Sequence, residues 1–128
     1  MVVRDLARTP QAAQFDFMLQ PGGEVVAHGD GFEIRTGHAR LVGKVLSPAG
    51  VTISTMPGLG ENINVPRPFA LRIAAPGKAV SVEFIVALVP LAEGEATPEI
   101  GSPTLGVVRL GDDELTFFPD GTKPPKRL

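Results

Sequence analysis

Cysteine, tryptophan and tyrosine are all missing from the 128 residues. Without cysteine there are no disulfides, no thiolate metal ligands and no Cys nucleophile. That suits a cytosolic location, and equally an exported protein held together without disulfides. Modules that stack on neutral sugars use Trp and Tyr, whose rings are apolar on the face and wet at the edge. Only seven Phe remain, mostly at positions that read as inward, so a neutral-glycan stacking platform is not expected. No apolar run approaches the roughly 20 residues of a membrane-spanning helix. The opening, Met1 to Asp5, has no apolar stretch and does not read as a signal peptide. Charge is not concentrated in one sign: the net value is −2, with no basic tract and no acidic tail. Neither a membrane nor a nucleic-acid partner is expected.

What is present points to a packed, globular chain. It is 43% hydrophobic and 20% charged, and a domain of this size buries roughly two-thirds of its unfolded surface. With 15 Gly and 13 Pro, the chain is punctuated too often for long helices. Alternating apolar and polar residues mark strands at Gln14–Gln20, Glu24–His28, Phe32–Thr36, Ala39–Leu46, Val51–Met56, Phe69–Ala74 and Ala79–Val89. A final hairpin is expected from Thr104–Leu110 and Glu114–Phe118, around Gly111-Asp112-Asp113. Phe84 to Val89 is apolar at every position, the pattern of a central strand covered on both faces. Val3–Ala13 offers at most a helical turn, limited by Pro10, and Pro57–Arg67 and Pro90–Pro103 read as connections. The expected fold class is all-β: a single antiparallel β-sandwich of about nine short strands over 1–118, with a flexible tail over 119–128.

Few residues carry the signature of chemistry. Ser47, Ser54, Ser81 and Ser102 are the candidate hydroxyl nucleophiles, with His28 and His38 as candidate bases. None of these serines lies in a Gly-x-Ser-x-Gly elbow. His28, His38 and Asp30 sit around one hairpin, but two histidines without a fixed spacing do not define a metal site. Asp112, Asp113 and Glu114 lack the Asp-x-Asp-x-Asp-Gly calcium pattern. Gly58-Leu59-Gly60 has no helix after it and fits no phosphate loop. No metal and no cofactor is therefore expected. The remaining candidate is a set of cations on strands: Arg35, Arg40 and Lys44, with Arg72 joining them if its strand is near. Guanidinium and ammonium groups so placed would bind the carboxylates of an anionic glycan. On a plain solvated face, Glu24 and Glu33 would instead balance them.

Three stretches together carry a family pattern. The first is Val2-Val3-Arg4-Asp5-Leu6 followed by Gln14-Phe15-Asp16-Phe17-Met18-Leu19-Gln20-Pro21. The second is Phe32-Glu33-Ile34, then Ala39-Arg40-Leu41 and Val45-Leu46-Ser47-Pro48. The third is Val82-Glu83-Phe84-Ile85-Val86-Ala87-Leu88-Val89-Pro90. In this order they resemble the C-terminal β-sheet region of heparinase II/III-like polysaccharide lyases, over Val2 to Pro90. The resemblance implies a sandwich beside a helical toroid. Enzymes of that family abstract a proton next to a uronate carboxylate and protonate the leaving oxygen, using Tyr with His or Asn. This chain has no Tyr, and Gln20 stands where the family's aromatic strand often ends in His. No catalytic residue carries over. The resemblance therefore implies a non-catalytic accessory domain that gives structural support or contacts an acidic polysaccharide. The alternative is a self-associating module, a homo-oligomer pairing through an exposed sheet edge or a Phe-bearing face.

Overall fold

The computed structural model describes residues 1–57, 69–102 and 106–116. The chain divides into two compact units, Met1–Thr97 and Pro98–Leu128. All described regular structure is β, and every strand pairing is antiparallel.

The first unit holds eight strands: β1 (Val2–Ala13), β2 (Asp16–Leu19), β3 (Glu24–His28), β4 (Gly31–Thr36), β5 (Ala39–Ser47), β6 (Thr52–Pro57), β7 (Phe69–Ala74) and β8 (Ala79–Ala92). They form a five-stranded sheet, β1-β8-β5-β4-β3, and a three-stranded sheet, β2-β7-β6. Phe32, Ile34, Val45, Phe84, Val86 and Leu88 from the first sheet share one core with Leu71 and Ile73 from the second. Phe17 on β2 reaches across to Phe84 on β8, with ring centroids 5.7 Å apart and planes at 45°. Two sheets therefore close over one hydrophobic layer, a β-sandwich. Among the described residues no polar or charged side chain is buried, so the layer is held by apolar burial and packing alone. Burying a ring such as Phe84 contributes about 1.5–3 kcal/mol.

Period-2 alternation explains which residues enter that layer. On β4, Phe32 and Ile34 are 1% and 7% exposed, while Glu33 and Arg35 point to the outer side. Gly43 on β5 lies opposite Phe32, and the ring rests where any Cβ at that glycine would sit. The glycine thus makes room for the Phe32 ring. The central place of β8, between β1 and β5, matches its apolar run. Val86 and Leu88 face the core, and Ala87 on the other face is also buried, as are Val42 and Leu91.

Two elements differ from the sequence expectations. Val2–Ala13 is a strand and not a helical turn. It pairs with β8 from Val2↔Ala87 to Arg8↔Ser81 and then bulges before Ala13↔Ala79. Pro10 falls inside the bulge, where its missing N–H breaks no ladder bond. Strand β8 runs through Pro90 to Ala92 and does not stop at Val89. Leu88 N–H donates to Met1 O at 2.8 Å. Alternation then aims position 90 at the same side, beyond the end of β1, where an imino nitrogen costs nothing.

The second unit contains β9 (Ile100–Gly101), β10 (Val107–Leu110) and β11 (Asp113–Thr116) in the order β11-β10-β9. Among its described residues Ile100 and Val108 are buried. β9 lies within Pro90–Pro103, a stretch whose sequence pattern is that of a connection. The described part of the last hairpin, β10 with β11, is paired as expected. The loop over 58–67 and the tail over 119–128 lie outside the described residues. In all there are eleven described strands, against the nine or so read from pattern.

Candidate anion-binding cleft

The site is built at one end of the five-stranded sheet, on its outer face. Strands β4 and β5 are joined by a two-residue turn, Gly37-His38, with Gly37 at φ 49°. A β-hairpin turn needs that left-handed value at its first position, which glycine adopts without strain. The short turn fixes the register Thr36↔Ala39 and Arg35↔Arg40. Two guanidinium-bearing residues thus stand directly opposite each other, on the face away from the core.

Like charges so placed repel, and Glu33 resolves the repulsion. Its Oε2 accepts from Arg35 Nε at 3.0 Å and Nη2 at 2.8 Å, and its Oε1 accepts from Arg40 Nη1 at 2.8 Å. The hydrogen bonds from Arg35 hold the Glu33 carboxyl below the usual carboxylate pKa, against partial burial, with Arg40 adding to the effect. One carboxylate thereby orients two cations, and the triad retains a positive charge. Arg40 is anchored further: Nη2 donates to Glu95 O at 2.6 Å. Its side chain is 24% exposed, while that of Arg35 is 57% exposed.

The far end of β8 closes the cleft. Ala39 pairs with Ala92, and Glu93 N–H donates to His38 O at 2.8 Å. This places Glu93 Oε2 3.0 Å from His38 Nδ1, with the two side chains 75% and 95% exposed. Arg35, Gly37, His38, Ala39, Arg40, Glu93 and Gly94 line a shallow cleft of about 170 Å³.

The four cations expected to act together are not all brought together. Arg35 and Arg40 are adjacent. Lys44 is on the outer face of the same sheet, opposite Gly31 and Ala87, roughly 13 Å along the strand from Arg40 at about 3.3 Å per residue. Arg72 is elsewhere. It lies on β7 of the three-stranded sheet, opposite Met18 and Ser54, with core-facing Leu71 and Ile73 on either side. It therefore occupies the outer face of the other sheet. Its Nε is 3.0 Å from Asp16 Oδ2 but makes no hydrogen bond, so the contact is an ion pair whose N–H is not aimed at the oxygen.

The remaining candidates are dispersed. His28 ends β3 and His38 follows β4, so β4 separates them by roughly 20 Å, its six-residue length. They do not share a metal. Among the described residues no group of three or more His, Asp or Glu could hold a metal ion. Ser47 Oγ donates to Glu83 O at 2.9 Å, bracing the irregular pairing of β5 with β8. Ser102 Oγ donates to Val107 O at 2.7 Å. Ser54 and Ser81 are exposed strand residues. In the second unit Glu114 pairs with Arg109, Oε1 to Nη2 at 2.6 Å, and raises the guanidinium pKa.

Sequence reasoning missed Glu93 and Glu95 as site residues. Both were assigned to the connection after Pro90, because proline reads as a strand stop. The signal that could have found them is Leu91, an apolar residue continuing the alternation past that proline.

No family model matches the sequence, and no curated protein or solved structure matches it. The cleft-lining residues carry both signs, Arg35 and Arg40 beside Glu93. An Arg has five N–H donors, and Glu33 takes two of those on Arg35, so donors remain for an oxyanion. Bidentate pairing with a carboxylate is the strongest contact such a group makes.

Proposed function

We propose that the sandwich is a non-catalytic accessory domain of the heparinase II/III type that contacts acidic polysaccharide at the β4–β5 end of its outer face. The observation that carries this reading is the Arg35–Glu33–Arg40 triad, which presents two pre-oriented guanidiniums at an open cleft. Lys44, farther along the same sheet face, would meet a neighbouring acidic residue of the polymer. The shallow, wet form of the cleft also favours contact over catalysis. General acid–base chemistry needs a titratable group held against its substrate, with a pKa tuned by its surroundings, and the His38 and Glu93 side chains are both mostly exposed. The sequence resemblance over Val2 to Pro90 points to uronate as the source of the carboxylates.

The test is substitution followed by binding to a polyuronate. Replacing Arg35, Arg40 and Lys44 together by Ala is expected to abolish salt-sensitive binding, whereas Arg72→Ala on the other sheet leaves it intact. Unchanged binding in the triple variant would remove this face from consideration.

A further inference from the structure

The five-stranded sheet ends in two strands that differ in how well they are guarded. β1 carries several features that discourage pairing with another chain: a bulge, Pro10, and Asp5 on the parity of the core face. β3 carries none. Its sequence, Glu-Val-Val-Ala-His, has no Lys and no Pro, and its register with β4 runs without a bulge from Glu24↔Arg35 to His28↔Gly31. Among the described residues β3 has a strand partner on one side only. An open cleft of about 390 Å³ lies beside its first half, lined by Gly23, Glu24, Val25 and Thr55.

The direction of each backbone group follows from the hairpin. His28 and Gly31 flank a two-residue turn, so they form a hydrogen-bonded pair, and alternation makes Val26↔Glu33 and Glu24↔Arg35 the next such pairs. The donation from Val45 N–H to Asp30 O at 2.8 Å agrees with that phase on the neighbouring ladder. The N–H and C=O groups of Val25 and Ala27 therefore point away from β4, to the side on which no described strand pairs. They can be satisfied by a strand whose own outward groups have the same spacing.

We propose that a second copy of this chain is that strand: β3 pairs antiparallel with β3 of its partner about a two-fold axis at Val26, joining two sheets into one of ten strands. In this register Val25 of each copy exchanges both backbone hydrogen bonds with Ala27 of the other. Val26, 36% exposed in the single chain, meets its own counterpart. Glu24 of each copy stands opposite His28 of the other, on the outer face that both share with Val26. Two further registers would also satisfy the outward groups, centred on Val25 or on Ala27. They set Glu24 or His28 against Val26 and forgo the apposition of Glu24 with His28. The axis at Val26 is the register in which shape, backbone and charge agree.

The experiment is the mass in solution of the whole chain by light scattering or sedimentation, from micromolar to millimolar concentration. The wild type is expected to rise from one chain to two. Val26→Lys places two ammonium groups face to face on the axis, and is expected to weaken the dimer by more than about tenfold, over 1.4 kcal/mol. Ala27→Pro removes an outward N–H while sparing the β3–β4 ladder, and is expected to do the same. Circular dichroism shows that each variant is folded. Glu24→Lys alone is expected to weaken pairing, and Glu24→Lys with His28→Glu to restore it, because the swapped charges still match. A wild type that stays at one-chain mass throughout overturns the proposal. So does a folded Val26→Lys variant that associates as well as the wild type. No glycan enters these measurements, so their failure is separate from failure of the polysaccharide reading.

Discussion

The two faces of the five-stranded sheet are made from the same strands, one residue alternating with the next, yet they hold together by different physics. On the inner face Phe32, Ile34, Phe84 and Val86 are almost wholly removed from water, and shape decides what fits. On the outer face, at the β4–β5 end, Glu33, Arg35 and Arg40 form a charged lattice that keeps partial contact with solvent. There, water screens the attraction and geometry matters more than energy. The contrast teaches that the inner face sets stability, while the charges on this part of the outer face add little to it.

Substitutions sharpen that contrast in a definite order. Phe84→Ala removes the ring that joins the two sheets, so a loss of about 3–5 kcal/mol is expected, read as a lowered midpoint in urea. Gly43→Ala adds a single carbon where the Phe32 ring already rests. The ring or the strand must shift, and a loss of about 1–3 kcal/mol is expected from the same measurement. Glu33→Gln sits on the other face of β4, beside Phe32 in sequence. It is expected to leave the urea midpoint close to that of the wild type while loosening Arg35, with Arg40 still held by Glu95 O.

The smallest effect is a pH dependence that Glu33 itself contributes. Its carboxyl pKa is lowered in the folded chain from an ordinary value of 4.5, so the unfolded chain binds the proton more readily. The resulting stabilisation is fully present above the ordinary value and is lost as pH falls through the lowered one. Thermal unfolding of wild type and Glu33→Gln is therefore expected to show a small difference near neutrality that shrinks on acidification. A difference that grows as pH falls would contradict the sign.

Much of this architecture was legible in the sequence, for local reasons. The bounds of β3 and β7 match the alternation residue for residue, because each is a short run between turn residues. The Arg35–Arg40 apposition was within reach for the same reason: a two-residue turn fixes the register of a hairpin. β1 was not legible, since an edge strand shows weak alternation and Pro10 obscured it. The position of Arg72 was not legible either. Which sheet β7 joins is set by its pairing with β2 and β6, contacts over long sequence separation that no local pattern encodes. Glu93 and Glu95 were hidden by Pro90, whose harmless place past the end of β1 becomes visible only once β1 is known to be a strand.

The most direct test of the account is binding of the wild-type chain to acidic and neutral polysaccharides at low and moderate salt. Binding to uronate-rich chains that weakens as salt rises, with none to neutral chains, is the predicted result. Equal binding to both, or binding to neither, would contradict it.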